Sequence, residues 1–318
     1  MPRVLNIGSL NIDYVYQVPH FLRGGETLAA YRRAIHIGGK GLNQSVALAR
    51  AGLRTSHAGI VGQDGTFLKV FLEHEGVGVS RVAVDPNESS GHTFIQVVPE
   101  GGENAILYYP GTNVRLTPEF VKSAMDDFGK GDALLVQNET SAVRYSIEHA
   151  LEKGMRVIFN PSPFDSQAPL LPLNRISALI ANETEAEGLL GLEKKEKTPE
   201  EAMDIVAELG RRYPETVILV TLGSQGVVCR MPGFEPDFIK AYPVHPADTT
   251  GAGDTFTGFA VRALMDAWEK QDAEEAHAVL LEGLRFAAMA AAISVTRPGA
   301  AESIPFWKEV DEAMRDTD

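Results

Sequence analysis

The run Asp248-Thr249-Thr250-Gly251-Ala252-Gly253-Asp254-Thr255-Phe256 leads into an apolar helical stretch through Phe259, Ala260 and Leu264. Two glycines and an alanine at a helix start leave backbone N–H groups unobstructed, and the helix dipole adds partial positive charge, so this segment is an anion pocket. Asp254 falls in the first turn of that helix. An aspartate there can cap the helix. Beside a phosphate it also has the chemistry of a general base, taking a proton from a hydroxyl while the N–H groups hold the phosphoryl group in transfer. A second glycine cluster, Ile37-Gly38-Gly39-Lys40-Gly41-Leu42-Asn43-Gln44, opens another helix and brings Lys40, Asn43 and Gln44 with it. Neither cluster fits the Walker pattern, because Lys40 lacks both the earlier Gly and the following Ser or Thr. The dinucleotide fingerprint fails as well, since Phe256 stands at its last Gly position. What remains is a phosphate or nucleotide site of another kind. The eight histidines show no ligand spacing such as HExxH and read as structural or surface residues.

Short Val- and Ile-rich runs place these loops. Val4 to Ser9, Thr55 to Val61, Ala133 to Gln137, Arg156 to Asn160, Ala178 to Ala181 and Thr216 to Thr221 read as buried strands. Between them Asn43 to Ala51, Thr66 to Glu75, Ala142 to Glu152, Glu200 to Arg211 and Phe256 to Trp268 carry apolar residues at helical spacing. The alternation predicts an α/β fold with a mostly parallel central sheet flanked by helices. Two excursions break the rhythm: Ile12 to Val18 with Ala29 to Ile37, and His92 to Val98 with Ala105 to Tyr109, the latter joined by a Gly-rich turn from Pro99 to Asn104. They predict a small β-sheet over one end of the main sheet, either a lid or a plain edge extension. The charged stretch Glu193 to Glu201 reads as a solvated loop and helix start.

The chain of 318 residues is long enough for one large or two ordinary domains. Its formal charge of -14 argues against nucleic acid or an anionic membrane as the general partner, while leaving room for one small basic pocket. The single cysteine, Cys229, lies in a strand-like segment and reads as a core residue; the start of the chain lacks a signal-peptide pattern and no apolar run is read as spanning a bilayer, which predicts a cytoplasmic protein.

With these residues in view, the sequence resembles the ribokinase, or PfkB, family of carbohydrate kinases. Gly38 to Gly52 is similar to its first signature and Asp248 to Ala260 to its second. The resemblance runs through Gly8-Ser9-Leu10-Asn11-Ile12-Asp13, Gly25-Glu26-Thr27, Asn182-Glu183-Thr184-Glu185, Thr221 to Gly226 and Val295 to Ala300. It implies a ribokinase-like fold whose α/β body is residues 1–10, 38–90 and 112–318 and whose discontinuous lid is residues 11–37 and 91–111, with lids pairing in a homodimer. It also implies transfer of the γ-phosphate of ATP, with Mg2+, to a sugar hydroxyl. D-ribose is the expected acceptor, and another pentose, a ketohexose, a keto-deoxy sugar acid or a nucleoside is the alternative. A non-catalytic sugar-binding regulator and a nucleotide-binding oxidoreductase are readings of other classes. The intact Gly251-Ala252-Gly253-Asp254 argues against the first, and the missing dinucleotide fingerprint against the second.

The same resemblance implies the roles. Asp254 is the base, and the amides of Gly251, Ala252 and Gly253 take the developing charge. Asn11, Asp13, Gly39, Lys40, Asn43 and Glu139 hold the sugar. Asn182 and Glu185 organise phosphate and Mg2+, and Thr221, Gly223, Gly226 and Gly253 meet the nucleotide. Asp248, Thr250, Ser294, Arg297, Gly299 and Ser303 surround K+, although Asp248 and Arg297 would also suit a plain ion pair. Three departures stand out: Phe67 stands three positions after Asp64 where the family has Gly, which questions the helix start there; Ala288 replaces a polar residue near the nucleotide; and Tyr108 and Tyr109 make the lid bulkier, with consequences for sugar preference.

Overall fold

The computed structural model describes residues 2–99, 103–192 and 198–317. The turn from Pro99 to Asn104 and the charged stretch from Glu193 to Glu201 lie partly outside the described residues; Thr198, within them, caps the next helix in a capping box with Glu201.

Along the chain run β1 (Arg3–Ile7), β2 (Asn11–Gln17), β3 (Arg32–Gly38), α1 (Lys40–Arg50), β4 (Arg54–Gly62), α2 (Thr66–His74), β5 (Gly78–Asp85), β6 (Gly91–Val97) and β7 (Asn104–Tyr109). There follow α3 (Pro118–Ala124), β8 (Ala133–Gln137), α4 (Val143–Glu152), β9 (Arg156–Asn160), β10 (Ala178–Asn182), α5 (Glu183–Leu190), α6 (Pro199–Arg212), β11 (Val217–Thr221), β12 (Gly226–Arg230), β13 (Asp237–Lys240), α7 (Ala252–Trp268), α8 (Ala273–Ser294) and α9 (Trp307–Arg315). The large sheet has nine strands in the order β13-β12-β11-β10-β9-β8-β1-β4-β5. It is parallel from β11 to β5, with β12 and β13 added antiparallel. Alternate residues of β1 face opposite cores: Val4 joins the cluster under α1, α7 and α8, while Leu5 and Ile7 join the one under α3 to α6. Strands buried on both faces read as continuous apolar runs, which is why the sequence reveals them.

The second sheet, β3-β2-β6-β7, is built from the two excursions: antiparallel hairpins β2–β3 and β6–β7 joined by a parallel pair, β2 with β6. Its chain crossings lie just beyond the carboxyl ends of β1 and β5.

The structure adds what periodicity understates. Strand β5 is an edge whose buried and exposed residues mix irregularly. Helix α8 is long and apolar enough by length and composition to cross a membrane, against the sequence reading of no such run. In this fold it is a core helix: Leu280, Leu284, Ala287 and Ala290 are buried against α7, and a Cβ on Gly283 would lie 2.4 Å from that of Ala263. Helices α1 and α7 start at Lys40 and Ala252, earlier than their apolar patterns at Asn43 and Phe256. Helix α2 starts at Thr66 despite Phe67.

Candidate active site

Gly251 is the N-cap of α7 at φ 76°, a left-handed conformation glycine adopts without strain, and no side chain caps the helix. The Ala252 N–H points back to Thr249 O at 3.3 Å, whereas those of Gly253 and Asp254 have no partner among the described residues. The Gly251 N–H is likewise without a partner among them, so two of the three expected donors are free, the turn uses the middle one, and Asp254 adds another.

Asp254 does not cap the helix. Its carboxylate crosses to α1, where Asn43 Nδ2 donates to Oδ2 and Gln44 Nε2 to Oδ1, both at 2.9 Å. The helices come this close because Gly258 faces Ala47; a Cβ on Gly258 would lie 2.3 Å from the Ala47 Cβ. The Asn43 Oδ1 atom is buried without a partner among the described residues, an acceptor placed beside the base.

Lys40, the first residue of α1, lines the same cavity as Asp254. Burial would pull its ammonium down, but Asp254, Glu139 and Glu185 outweigh that and hold it above the usual lysine value. Glu139, just past β8, accepts from the Ser9 hydroxyl and from the Lys40 N–H (3.1 Å), both at Oε2. Burial raises its carboxyl, offset only in part by Lys40 and these donors.

The second sheet supplies Asn11 and Asp13. Asn11 Oδ1 accepts from Asn113 Nδ2 at 2.7 Å, and Asp13 Oδ1 from the Thr93 hydroxyl at 2.6 Å. Burial raises the Asp13 carboxyl. Pairing sets His36, Asp13, Thr93 and Tyr108 side by side across all four strands, so they share one face of the lid. Tyr108 reaches towards Asn113 and Glu139, and burial, then the Glu139 charge, pushes its phenol up to about 12. Tyr109 lies on the opposite face, where its hydroxyl donates to Glu88 at 3.1 Å.

A cavity of about 150 Å³ joins Lys40, Asn182, Glu185, Thr221, Gly251, Ala252, Gly253 and Asp254, together with Asn160, Ser162, Thr249 and Thr257. It opens at the carboxyl ends of β9, β10 and β11, where open α/β sheets bind ligands. Asn182 and Glu185 form a capping box on α5, with Glu185 N to Asn182 Oδ1 at 2.8 Å and Asn182 N to Glu185 Oε2 at 3.0 Å. Glu185 Oε1 is left over for the cavity. Gly223 and Gly226 flank the following turn, outside the cavity lining, and a Cβ on Gly226 would lie 2.1 Å from Ile239 O. Ala288 is buried in α8.

Of the residues expected around K+, Asp248, Thr250 and Gly299 come together: Thr250 N donates to Asp248 Oδ1 (2.9 Å) and Gly299 N to Oδ2 (3.0 Å). Burial would raise the Asp248 carboxyl, but these bonds outweigh it and hold it below the usual range. The Ser294 and Ser303 hydroxyls turn back to Ala291 O and Ala300 O. The ion pair of Asp248 with Arg297 does not form; Arg297 reaches Glu309 at 2.6 Å instead.

Sequence reasoning missed Gln44, Thr93, Asn113 and Asn160 as site residues. Gln44 stood beside Asn43 in the quoted motif, but the other three lie far away in the chain, and only cross-strand register or sheet order reveals them.

The chain matches the pfkB family carbohydrate kinase pattern over residues 1–307. It is 37% identical to the ribokinase of Haemophilus influenzae, over 97% of each chain. Among solved structures it is similar to the ribokinase of Cryptococcus neoformans in complex with ADP (33% identity, TM-score 0.84, covering 98% of this chain and 100% of that one). It is likewise similar to the ribokinase of Arabidopsis thaliana complexed with ribose and ATP (29% identity, TM-score 0.83, 99% of each).

Proposed function

Because this chain belongs to the pfkB family of carbohydrate kinases, we propose that its acceptor is D-ribose, phosphorylated on the primary hydroxyl. It is an ATP-dependent sugar kinase. The observation that carries the reading is Asp254: a buried carboxylate fixed by two amides, one turn from unpartnered helix N–H groups and sharing a cavity with Lys40. In this reading the sugar hydroxyl gives its proton to Asp254 as its oxygen attacks the γ-phosphorus, and the bond to the bridging oxygen breaks with ADP as leaving group. The amides of Gly251 and Gly253, with Lys40, take the charge that develops, and that of Ala252 joins them on leaving Thr249 O.

Asn11, Asp13, Gly39, Asn43 and Glu139 are the sugar ligands we assign, supported by the free Asn43 Oδ1 and by Glu139 Oε1, which has no hydrogen-bond partner among the described residues. Among the described residues no cluster of three or more His, Cys, Asp or Glu could hold a metal. Mg2+ carried on ATP needs only one or two carboxylates, with phosphates and waters completing the shell. Glu185 and Asn182 fit that demand; the ion, when bound, neutralises phosphate charge. Thr221, Gly223 and Gly226 meet the nucleotide.

Residues 11–37 and 91–111 form the lid in this reading. Its outer face, with Ile35, Phe94 and Leu107 exposed in neighbouring rows, supports pairing with a second copy; a monomer in light scattering at micromolar concentration would refute that pairing. We also assign K+ to Asp248, Thr250, Ser294, Arg297, Gly299 and Ser303, mostly through backbone oxygens, where it would fix the loop before α7. Equal initial rates in K+, Na+ and a bulky organic cation at constant ionic strength would refute it. The sugar itself is tested by ATP turnover with ribose, 2-deoxyribose, fructose, 2-keto-3-deoxygluconate and nucleosides. Ribose should have the highest kcat/KM, and a higher value for any other acceptor overturns the assignment.

A further inference from the structure

Behind Asp254, on the side away from the cavity, lie three completely buried amide side chains: Asn6, Gln44 and Gln137. Gln44 Nε2 commits both hydrogens, to Asp254 Oδ1 and to Asn160 Oδ1, each at 2.9 Å. Its Oε1 accepts from Gln137 Nε2 at 2.6 Å, and Gln137 Nε2 also donates to Asn6 Oδ1 at 3.0 Å.

A primary amide turned by half a rotation exchanges donor for acceptor, so its direction follows from its partners. Two backbone carbonyls, which can only accept, fix the direction here. Asn6 Nδ2 donates to Gly41 O at 2.7 Å, so Asn6 turns its oxygen to Gln137. Gln137 must then present nitrogen to Gln44, and Gln44 its oxygen to Gln137. From the other side, Asn160 Nδ2 donates to Ile180 O at 2.8 Å and so turns its oxygen to Gln44. Both constraints leave Gln44 Nε2 as the atom facing Asp254. With Asn43 on the other oxygen, the carboxylate plane is fixed.

We infer that Gln44 is a positioning residue for the base, and that Gln137, out of reach of any substrate, acts on the reaction by holding Gln44 in its donor-forward orientation. The inference rests on the reading of Asp254 as the base. It concerns the geometry of the transition state, so it acts on kcat more than on KM.

The test is steady-state kinetics of Gln44→Met, Gln137→Met and the double variant, with Asp254→Asn and Ser45→Ala alongside. Methionine keeps the length and removes the amide. Gln44→Met should lower kcat roughly 10- to 100-fold with both KM values within about threefold. Gln137→Met should lower it less, and the double variant should be no slower than Gln44→Met, because Gln137 acts only through Gln44. Ser45 takes the other Asn6 hydrogen and passes to His57, so Ser45→Ala perturbs the same core beyond the relay. It should lower the melting temperature and leave kcat unchanged. Wild-type kcat in folded Gln44→Met, or additive losses in the double variant, overturns the inference while an inactive Asp254→Asn leaves the base standing. An active Asp254→Asn removes the base and the inference together. Should Gln44→Met not fold, Gln137→Met carries the test: an unchanged kcat, or a rise in both KM values without loss of kcat, overturns it.

Discussion

At the junction of α1 and α7 the Asp254 carboxylate is held by two amides, and the helices touch through Gly258 and Ala47. In the lid, Asp13 has one hydroxyl partner, Thr93, and neighbouring side chains such as Ile106 and Leu107 are more than half exposed. The junction gains rigidity from tight packing and from the two amide bonds to Asp254, and a packed interior deforms little. The lid joins the body through short crossings at Gly8 to Leu10, Gly39, Ser89 to Ser90 and Pro110, stitched by Thr112 N to Ser89 O and Leu10 N to Asn113 Oδ1 at 3.0 Å each. In the proposed reading the contrast separates two tasks: orientation of the reacting groups belongs to the junction, while the lid adds Asn11 and Asp13 to the sugar ligands that the body supplies.

The largest effect should come from the junction. Asp254→Asn keeps the shape and the bond from Gln44, and turns an NH2 toward Asn43, whose free Oδ1 can accept it after a flip. It removes the proton acceptor, so kcat should fall roughly 10²- to 10⁴-fold with KM values little changed. An unchanged kcat would end the division of labour drawn above.

His57, fully buried below α1, tests how far the rigid region extends. Burial lowers its imidazole to about 4 from 6.5, against a smaller opposing contribution from Gly8. The unfolded chain therefore takes up a proton that the folded one refuses. Stability is complete above about pH 6.5 and declines as the pH falls towards about 4, by on the order of 3 kcal/mol. Denaturant titrations at several pH values should show this slope, flattened in His57→Gln; the same slope in both proteins would count against it.

In the lid, Asp13→Ala removes an acceptor for sugar hydroxyls far from the phosphates, so KM for the sugar should rise roughly 10-fold or more while that for ATP stays near its wild-type value. Equal rises would mean that Asp13 holds the lid and not the sugar. The smallest effect is expected at Tyr108. Tyr108→Phe should change the ratio of kcat/KM between ribose and 2-deoxyribose by roughly 3- to 10-fold, about one hydrogen bond, whereas Tyr109→Phe on the other face should not. A shift in Tyr109→Phe alone would reverse the assignment of the two lid faces.

The sequence by itself determined the alternation of the central strands and helices, the two excursions and the Gly-rich loops of the candidate site, but not β5, β13, α3, α5, α8 or α9. Buried parallel strands are continuous apolar runs, and Gly-rich helix starts such as Gly38 to Gly41 and Gly251 to Gly253 are local patterns that need no partner to be read. Asp254, Lys40 and Asn43 were legible for that reason. The first helical residue was not, because the apolar patterns begin only at Asn43 and Phe256, whereas the helices start among the glycines at Lys40 and Ala252 with Gly39 and Gly251 as N-caps. Only the tertiary structure decided what holds the base. Gln44 meets Asn160 116 positions away and Gln137 93 positions away, pairings set by strand order in the sheet. Which of the two tyrosines shares a face with Asp13 was likewise beyond the sequence, since one residue of register exchanges the two faces of a strand. Local propensity and periodicity act over a few residues, while a hydrogen bond across a core depends on every element that brings its two ends together.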